Sequence, residues 1–181
     1  SLYPVQVLVN DLTTGRAPGG STSWLLTVEE VTRFGAEMDL LWQRCQEALS
    51  VAIVRNARYM NWRYVECPDV AYRLLVARRR LSGSLEGAAV LRLGWGDRPI
   101  ACLVDWLVPA AATSAAKALL ARCEEVARDA GMTELQAWFP PYAWSYRFLV
   151  ERAYRPESTI YHLVGLSTSP ELSVEWARER W

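Results

Sequence analysis

Apolar and polar residues alternate through LYPVQVLVND, the period of a half-buried strand. LTTGRAPGGSTS follows, rich in Gly, Ser and Thr with one Pro, and reads as a linker with a boundary near Ser21. WLLTVEEVTRF nearly alternates and is β-branched, which predicts a strand. GAEMDLLWQRCQEAL changes to helical spacing, with Met38, Leu41, Trp42, Cys45 and Leu49 on one face. SVAIVRNARYMNWRYVECP reads as mostly helical and ends at Pro68. AYRLLVARRR, GAAVLRLGW and IACLVDWLV then predict a three-strand meander, its first turn the Gly-containing LSGSLEG.

The clearest helix is PAAATSAAKALLARCEEVARDAG. Ala116, Leu119, Leu120, Cys123, Val126 and Ala127 form its apolar face, Thr113 or Ser114 is placed to cap it, and Gly131 closes it. TELQAWF is a strand, YAWSYRFLVERAY a second helix after Pro140-Pro141, and STIYHLVGL a last strand. Three antiparallel strands followed by two strand–helix units predict a mixed α/β sheet of six to seven strands with helices on both faces. The expected division is residues 1–20 as leading strand and linker and 21–181 as one domain. Both ends look cut, as in a fragment of a longer protein.

Composition narrows the chemistry. Of 181 residues 51% are hydrophobic, enough for one well-packed domain. Lys+Arg and Asp+Glu are 20 each, a balance that speaks against a dedicated nucleic-acid binder. Cys45, Cys67, Cys102 and Cys123 are scattered without a C-x-x-C pair, reading as buried thiols of a cytoplasmic protein and not as metal ligands. His162 is the one histidine and stands in an apolar strand, so no Ser-His-Asp or Cys-His centre is expected. No segment is long and apolar enough to span a membrane.

The element order, with LVDWLVPAAATSAAKALLARCEEVARDAGMTELQAWF and FLVERAYRPEST, resembles the GCN5-related N-acetyltransferase (GNAT) family over roughly residues 23–166. The NWRY…Y stretch is similar to bacterial members with two such modules, which implies a second GNAT-like module in the parent chain. The resemblance implies acyl transfer from acetyl-CoA, or another acyl-CoA, directly to an amine on a small-molecule or cell-envelope-type acceptor. It implies that the cofactor lies along Trp106, Leu107 and Val108 and reaches Thr113, Ser114, Ala115 and Ala116. There a helix N-terminus favours phosphate charge, and no metal is needed.

Two departures stand out. Ser114 occupies a position where the family's phosphate loop usually has Gly, and Leu149 replaces a proton-donating Tyr. Ala153 falls at a usual Gly, and Tyr146, one turn before Leu149, is the candidate general acid. Asp105 is the candidate general base, the alternative being a carboxylate bonded to a neighbouring arginine. Arg58, Trp62 and Arg63 in RNARYMNWRYVECPDVAY suit an anionic or sugar-bearing acceptor. The same stretch also reads as a latch, with Tyr59 and Trp62 inward and Arg58 outside. An N-acyltransferase is thus the expected activity, against a degenerate module that supports a partner domain or binds a ligand without chemistry.

Overall fold

The computed structural model describes residues 2–14, 24–49, 52–164 and 173–178. In chain order the elements are β1 (Leu2–Asp11), β2 (Leu26–Val31), α1 (Glu37–Gln46), α2 (Ala57–Tyr64), β3 (Tyr72–Arg79) and β4 (Leu85–Trp95). Then follow β5 (Arg98–Leu107), α3 (Thr113–Asp129), β6 (Glu134–Ala137), α4 (Trp144–Val150), β7 (Arg155–Val164) and α5 (Val174–Arg178). The strands form one seven-stranded sheet, β2-β3-β4-β5-β6-β1-β7. Only β5 and β6 run parallel; the other neighbours are antiparallel. This is the mixed α/β sheet, helices on both faces, that the pattern predicts.

Strand alternation sorts side chains between two cores. Leu75, Ala89, Leu91, Ala101, Leu103 and Leu135 face α3, meeting Leu119, Cys123 and Val126, with Phe148 and Leu149 of α4 beside them. Leu74, Val76, Ala88, Val90 and Leu107 face the opposite way, onto Met38, Leu41 and Trp42 of α1 and Met60 and Tyr64 of α2. Glu124 is buried within the α3 side, where its carboxylate accepts from Asn10 (3.1 Å) and Tyr154 (3.1 Å) and pairs with Arg128.

Several local expectations change. The helix expected from Ser50 onward begins only at Ala57, because Asn56 is extended and its side chain accepts from the Tyr59 N–H at 2.9 Å, capping α2. α1 stops at Gln46, so Leu49 is exposed. Ala112 holds the N-cap position of α3 without a side-chain bond; Thr113 and Ser114 fall inside the first turn and do not cap it. Gly131 has a φ of 75°, the left-handed closure that favours glycine. Ala153 adopts the same region at 65°, as the N–H of Tyr154 returns to the Leu149 carbonyl. His162 is exposed on the outer strand β7.

The largest difference concerns β1. It lies between β6 and β7 and bonds both, with Leu8 opposite Ala137 on one edge and Pro156 on the other. The strand set apart from the domain in the sequence is an interior strand of its sheet. The boundary near Ser21 lies outside the described residues.

Candidate active site

β5 and β6 pair from Ile100–Glu134 to Leu103–Ala137, and there the pairing ends. β5 continues to Leu107, whereas β6 gives way to Trp138 and the Pro140-Pro141 turn. The strands therefore splay, leaving the β6-facing edge of β5 beyond Leu103 without a strand partner among the described residues.

A β-bulge sits at the mouth of this splay. Val90 of β4 pairs with Asp105 but Leu91 pairs with Leu103, so Val104 is the extra residue. The bulge inverts the alternation. Ala101 and Leu103 face α3, but Asp105 and Leu107 face α1 and α2, and Trp106 takes the α3 side. Asp105 is thereby turned under α2. Its Oδ2 accepts from the Tyr64 hydroxyl at 2.9 Å, while Oδ1 accepts from the Trp106 N–H at 2.8 Å and pairs with Arg55 Nε at 3.1 Å. The Asp105 side chain is 6% exposed, and that of Arg55 30%. Burial pushes the Asp105 carboxyl pKa up, with Arg55 and the hydrogen bonds pulling against it. Burial, then the Asp105 charge, raises the Tyr64 hydroxyl far above its ordinary range, so Tyr64 stays a neutral donor.

On the α3 side, Trp106 stacks against Phe148 of α4 with ring centroids 6.2 Å apart, and Phe148 meets Trp144 at 5.6 Å. The Trp106 Nε1–H is buried with no hydrogen-bond partner among the described residues. β5 then leads through Val108–Ala112 into α3. Thr113, Ser114 and Ala115 hold the first-turn N–H groups that an α-helix leaves free. Ala116 is different: its N–H bonds the Ala112 carbonyl at 3.0 Å, so among the phosphate-contacting positions expected from sequence it supplies a small side chain and no free donor. A cavity of about 300 Å³ opens here, lined by Leu26, Arg44, Arg79, Glu86, Ala112 and Ser114. The Glu86 carboxylate holds Arg44 (2.9 Å) and Arg79 (2.8 Å) at its wall.

Tyr146 stands on α4 with its hydroxyl donating to Gln6 of β1 at 3.2 Å, while Leu149 is packed in the core. Arg58 and Trp62 are exposed on α2, and Arg63 lies over the rings of Tyr64 and Tyr72. The buried face of α2 is Met60, Asn61 and Tyr64; of the pair expected inward, Tyr59 packs half-buried against this core whereas Trp62 is 61% exposed. The latch exists through other residues: the Asn61 amide both accepts from and donates to the Phe34 backbone at 2.9 Å. The alternative expected for Asp105, a carboxylate bonded to a neighbouring arginine, is what the structure shows; sequence reasoning did not single out Arg55 for it and missed Tyr64. Their signal was present, as an acid inside an apolar strand demands buried partners.

No protein-family model and no curated protein matches the sequence. Solved structures do match. A GCN5-related N-acetyltransferase from Sphaerobacter thermophilus aligns with a TM-score of 0.54 at 13% identity, over 87% of this chain and 50% of that one. Saccharomyces cerevisiae N-myristoyltransferase, solved with bound myristoyl-CoA, aligns with a TM-score of 0.60 at 12% identity, over 86% and 48%. An aminoglycoside acetyltransferase from an uncultured soil metagenomic sample, solved with trehalose, gives 0.53 at 15% identity, over 81% and 100%. The chain thus spans about half the length of the first two and all of the third. These alignments show the fold: the chain has the fold of the GCN5-related N-acetyltransferases.

Proposed function

We propose that the chain is an N-acyltransferase that moves an acyl group from an acyl-CoA, with acetyl-CoA the first candidate, directly to an amine. The observation that carries this reading is the splay beyond Leu103–Ala137, with a buried carboxylate on one side and a free helix N-terminus at its end. The residues fit such a cofactor. β5 offers a free backbone edge, residues 110–112 are all alanine, and the Trp106 Nε1–H is a buried donor in want of an acceptor.

The cofactor supplies an activated acyl group as a thioester. The N–H groups of Thr113, Ser114 and Ala115 hold phosphate charge. The backbone of Trp106, Leu107 and Val108 aligns the acyl chain and, through N–H groups near Leu107 and Val108, polarises its carbonyl. Asp105 accepts the proton of the attacking amine, its raised pKa making it a stronger base than a surface carboxylate. Tyr146 would donate the proton that a departing thiolate needs. Arg58, Trp62 and Arg63 lie on the α2 side from which an acceptor approaches. The acceptor class is a small-molecule or cell-envelope-type amine, and the unpaired cysteines suit a cytoplasmic setting.

A second reading is favoured by Trp106 and Phe148 meeting at the splay and by the lack of glycine from Pro109 to Ala116. In it, the chain keeps the fold and supports a second module without performing transfer. Calorimetric titration with acetyl-CoA separates the two. Saturable binding, followed by acetylation of an amine panel with thiol release, supports the enzyme. No heat up to millimolar acetyl-CoA refutes it for this chain.

A further inference from the structure

Among the described residues, α1 and α2 roof their side of the sheet over β2 to β5. Beyond, over β5, β6, β1 and β7, lies a second cavity of about 300 Å³, lined among others by Trp95, Arg98, Gln136, Trp138, Glu157 and Tyr161. Its position follows from the register. Leu135 and Ala137 face α3, so Gln136 and Trp138 face away from it, as does Cys102 between Ala101 and Leu103. Trp138 immediately follows Ala137, half of the last β5–β6 pair, and Glu157 lies opposite Val7 on the neighbouring rung. The cavity thus reaches from the β4–β5 turn, at Trp95 and Arg98, to Trp138 at the mouth of the splay, on the face to which Asp105 is turned, and runs across β1 to β7.

Its walls are chemically mixed. Trp138 and Tyr161 meet at 5.4 Å between centroids, and Arg92 lies 4.6 Å over the Trp95 ring. All three aromatic residues are about half exposed: Trp95 48%, Trp138 43%, Tyr161 52%. Nine arginines of this chain pair with carboxylates, yet the side chains of Arg98 and Glu157 have no ion-pair or hydrogen-bond partner among the described residues. Flat aromatic faces match the C–H faces of a sugar ring. A free guanidinium and a free carboxylate match the hydroxyls at its rim, and aromatic walls with a carboxylate also favour an ammonium group.

We propose that this cavity is the acceptor subsite and that it takes an amino sugar, its ring on Trp138 and Tyr161 and its reactive amine directed to the splay. The proposal names the acceptor of the acyl transfer argued above and rests on that reading. β7 lies three strand spacings from β5, roughly 15 Å at about 4.8 Å each. Glu157 therefore binds the far end of a disaccharide and leaves the reacting amine to Asp105.

The test needs no acyl donor. The protein's tryptophan fluorescence is titrated with a β-1,4-linked glucosamine disaccharide and, separately, with spermidine, an amine without a ring. Expected are saturable quenching by the disaccharide and affinity at least about tenfold above that for spermidine. Trp138→Ala should weaken disaccharide binding roughly tenfold, equivalent to ~1.4 kcal/mol, with circular dichroism unchanged; Trp95→Ala, on a different strand, should weaken it likewise. No saturation by the disaccharide, equal binding of spermidine, or parent affinity in both variants overturns the proposal. A protein that binds acetyl-CoA but not the disaccharide loses this subsite and keeps the transferase reading. One that binds the disaccharide but not acetyl-CoA keeps the sugar site and loses the transfer.

Discussion

Asp105→Asn separates chemistry from architecture, because the site can keep its hydrogen bonds when the charge is removed. The asparagine carbonyl takes over the bonds from Arg55 Nε and the Trp106 N–H, and its amide donates to Tyr64, whose hydroxyl can turn to accept. The ion pair with Arg55 is lost, but Arg55 is 30% exposed, so solvent screening leaves little of its Coulomb energy. The carboxylate itself is a burden. Its pKa is raised in the folded state, so its contribution to stability is present below the unfolded value of ~3.9 and is lost as pH rises through the folded value. At neutral pH the neutral isostere should leave stability within about 1 kcal/mol of the parent. Turnover should behave differently. An amine of pKa ~10.4 costs about 4–5 kcal/mol to deprotonate at pH 7, and a positioned base typically recovers 10²–10⁴-fold in rate. Asp105→Asn should thus lower kcat/KM by roughly 10²–10³-fold, with acetyl-CoA affinity and melting temperature nearly unchanged. In the parent the rate should rise with pH as the elevated Asp105 carboxyl ionises, and that acidic limb should vanish in the variant. Thiol release followed with a chromogenic disulfide reads both. A variant that folds, binds acetyl-CoA and turns over within about threefold of the parent would refute Asp105 as the base.

Two further substitutions probe other parts of the molecule. Ser114→Asp places a negative charge in the exposed first turn of α3, where the helix dipole favours it by about 0.3–1 kcal/mol; thermal unfolding should show equal or greater stability, while calorimetry should show acetyl-CoA affinity falling at least about tenfold through repulsion of phosphate. Ala153→Gly removes the side chain from a left-handed residue, a strain of roughly 1–2 kcal/mol partly offset by the entropy of glycine; urea unfolding should show a gain of up to about 1 kcal/mol.

The legible parts of this fold are those encoded by neighbours in sequence. The α3 face repeats Leu119, Cys123 and Val126 at helical spacing, and the β3–β5 meander is punctuated by Gly-containing turns, so both are read directly. Ala153 at a position usually held by glycine does adopt the glycine conformation. What was hidden depends on pairing across distance. IACLVDWLV reads as one continuous strand, apolar but for Asp105, and nothing within it marks Val104 as a bulge; only the register of β4 does. Without that shift the face presented by Asp105 cannot be assigned, and neither can its partners Arg55 and Tyr64. Trp95, Trp138 and Tyr161 come from three strands and converge only once the sheet order is known.

The seat of β1 also governs the order in which the molecule can be completed. Residues 2–11 leave the ribosome before their partners, since Asp11 pairs with Glu134 roughly 120 residues later and β7 comes later still. At ~5–20 residues per second this is a wait on the order of ten seconds, during which Val7, Leu8 and Val9 have no partner strands. Once made, β6 presents an open edge beside the half-built sheet until β1 docks, a template for any passing strand. The last step of folding is then the insertion of the earlier-made β1 between the later-made β6 and β7, a long-range closure that is slow by its topology. Translation speed and chaperone access should therefore weigh on the yield of this protein more than its well-packed α3 core would suggest.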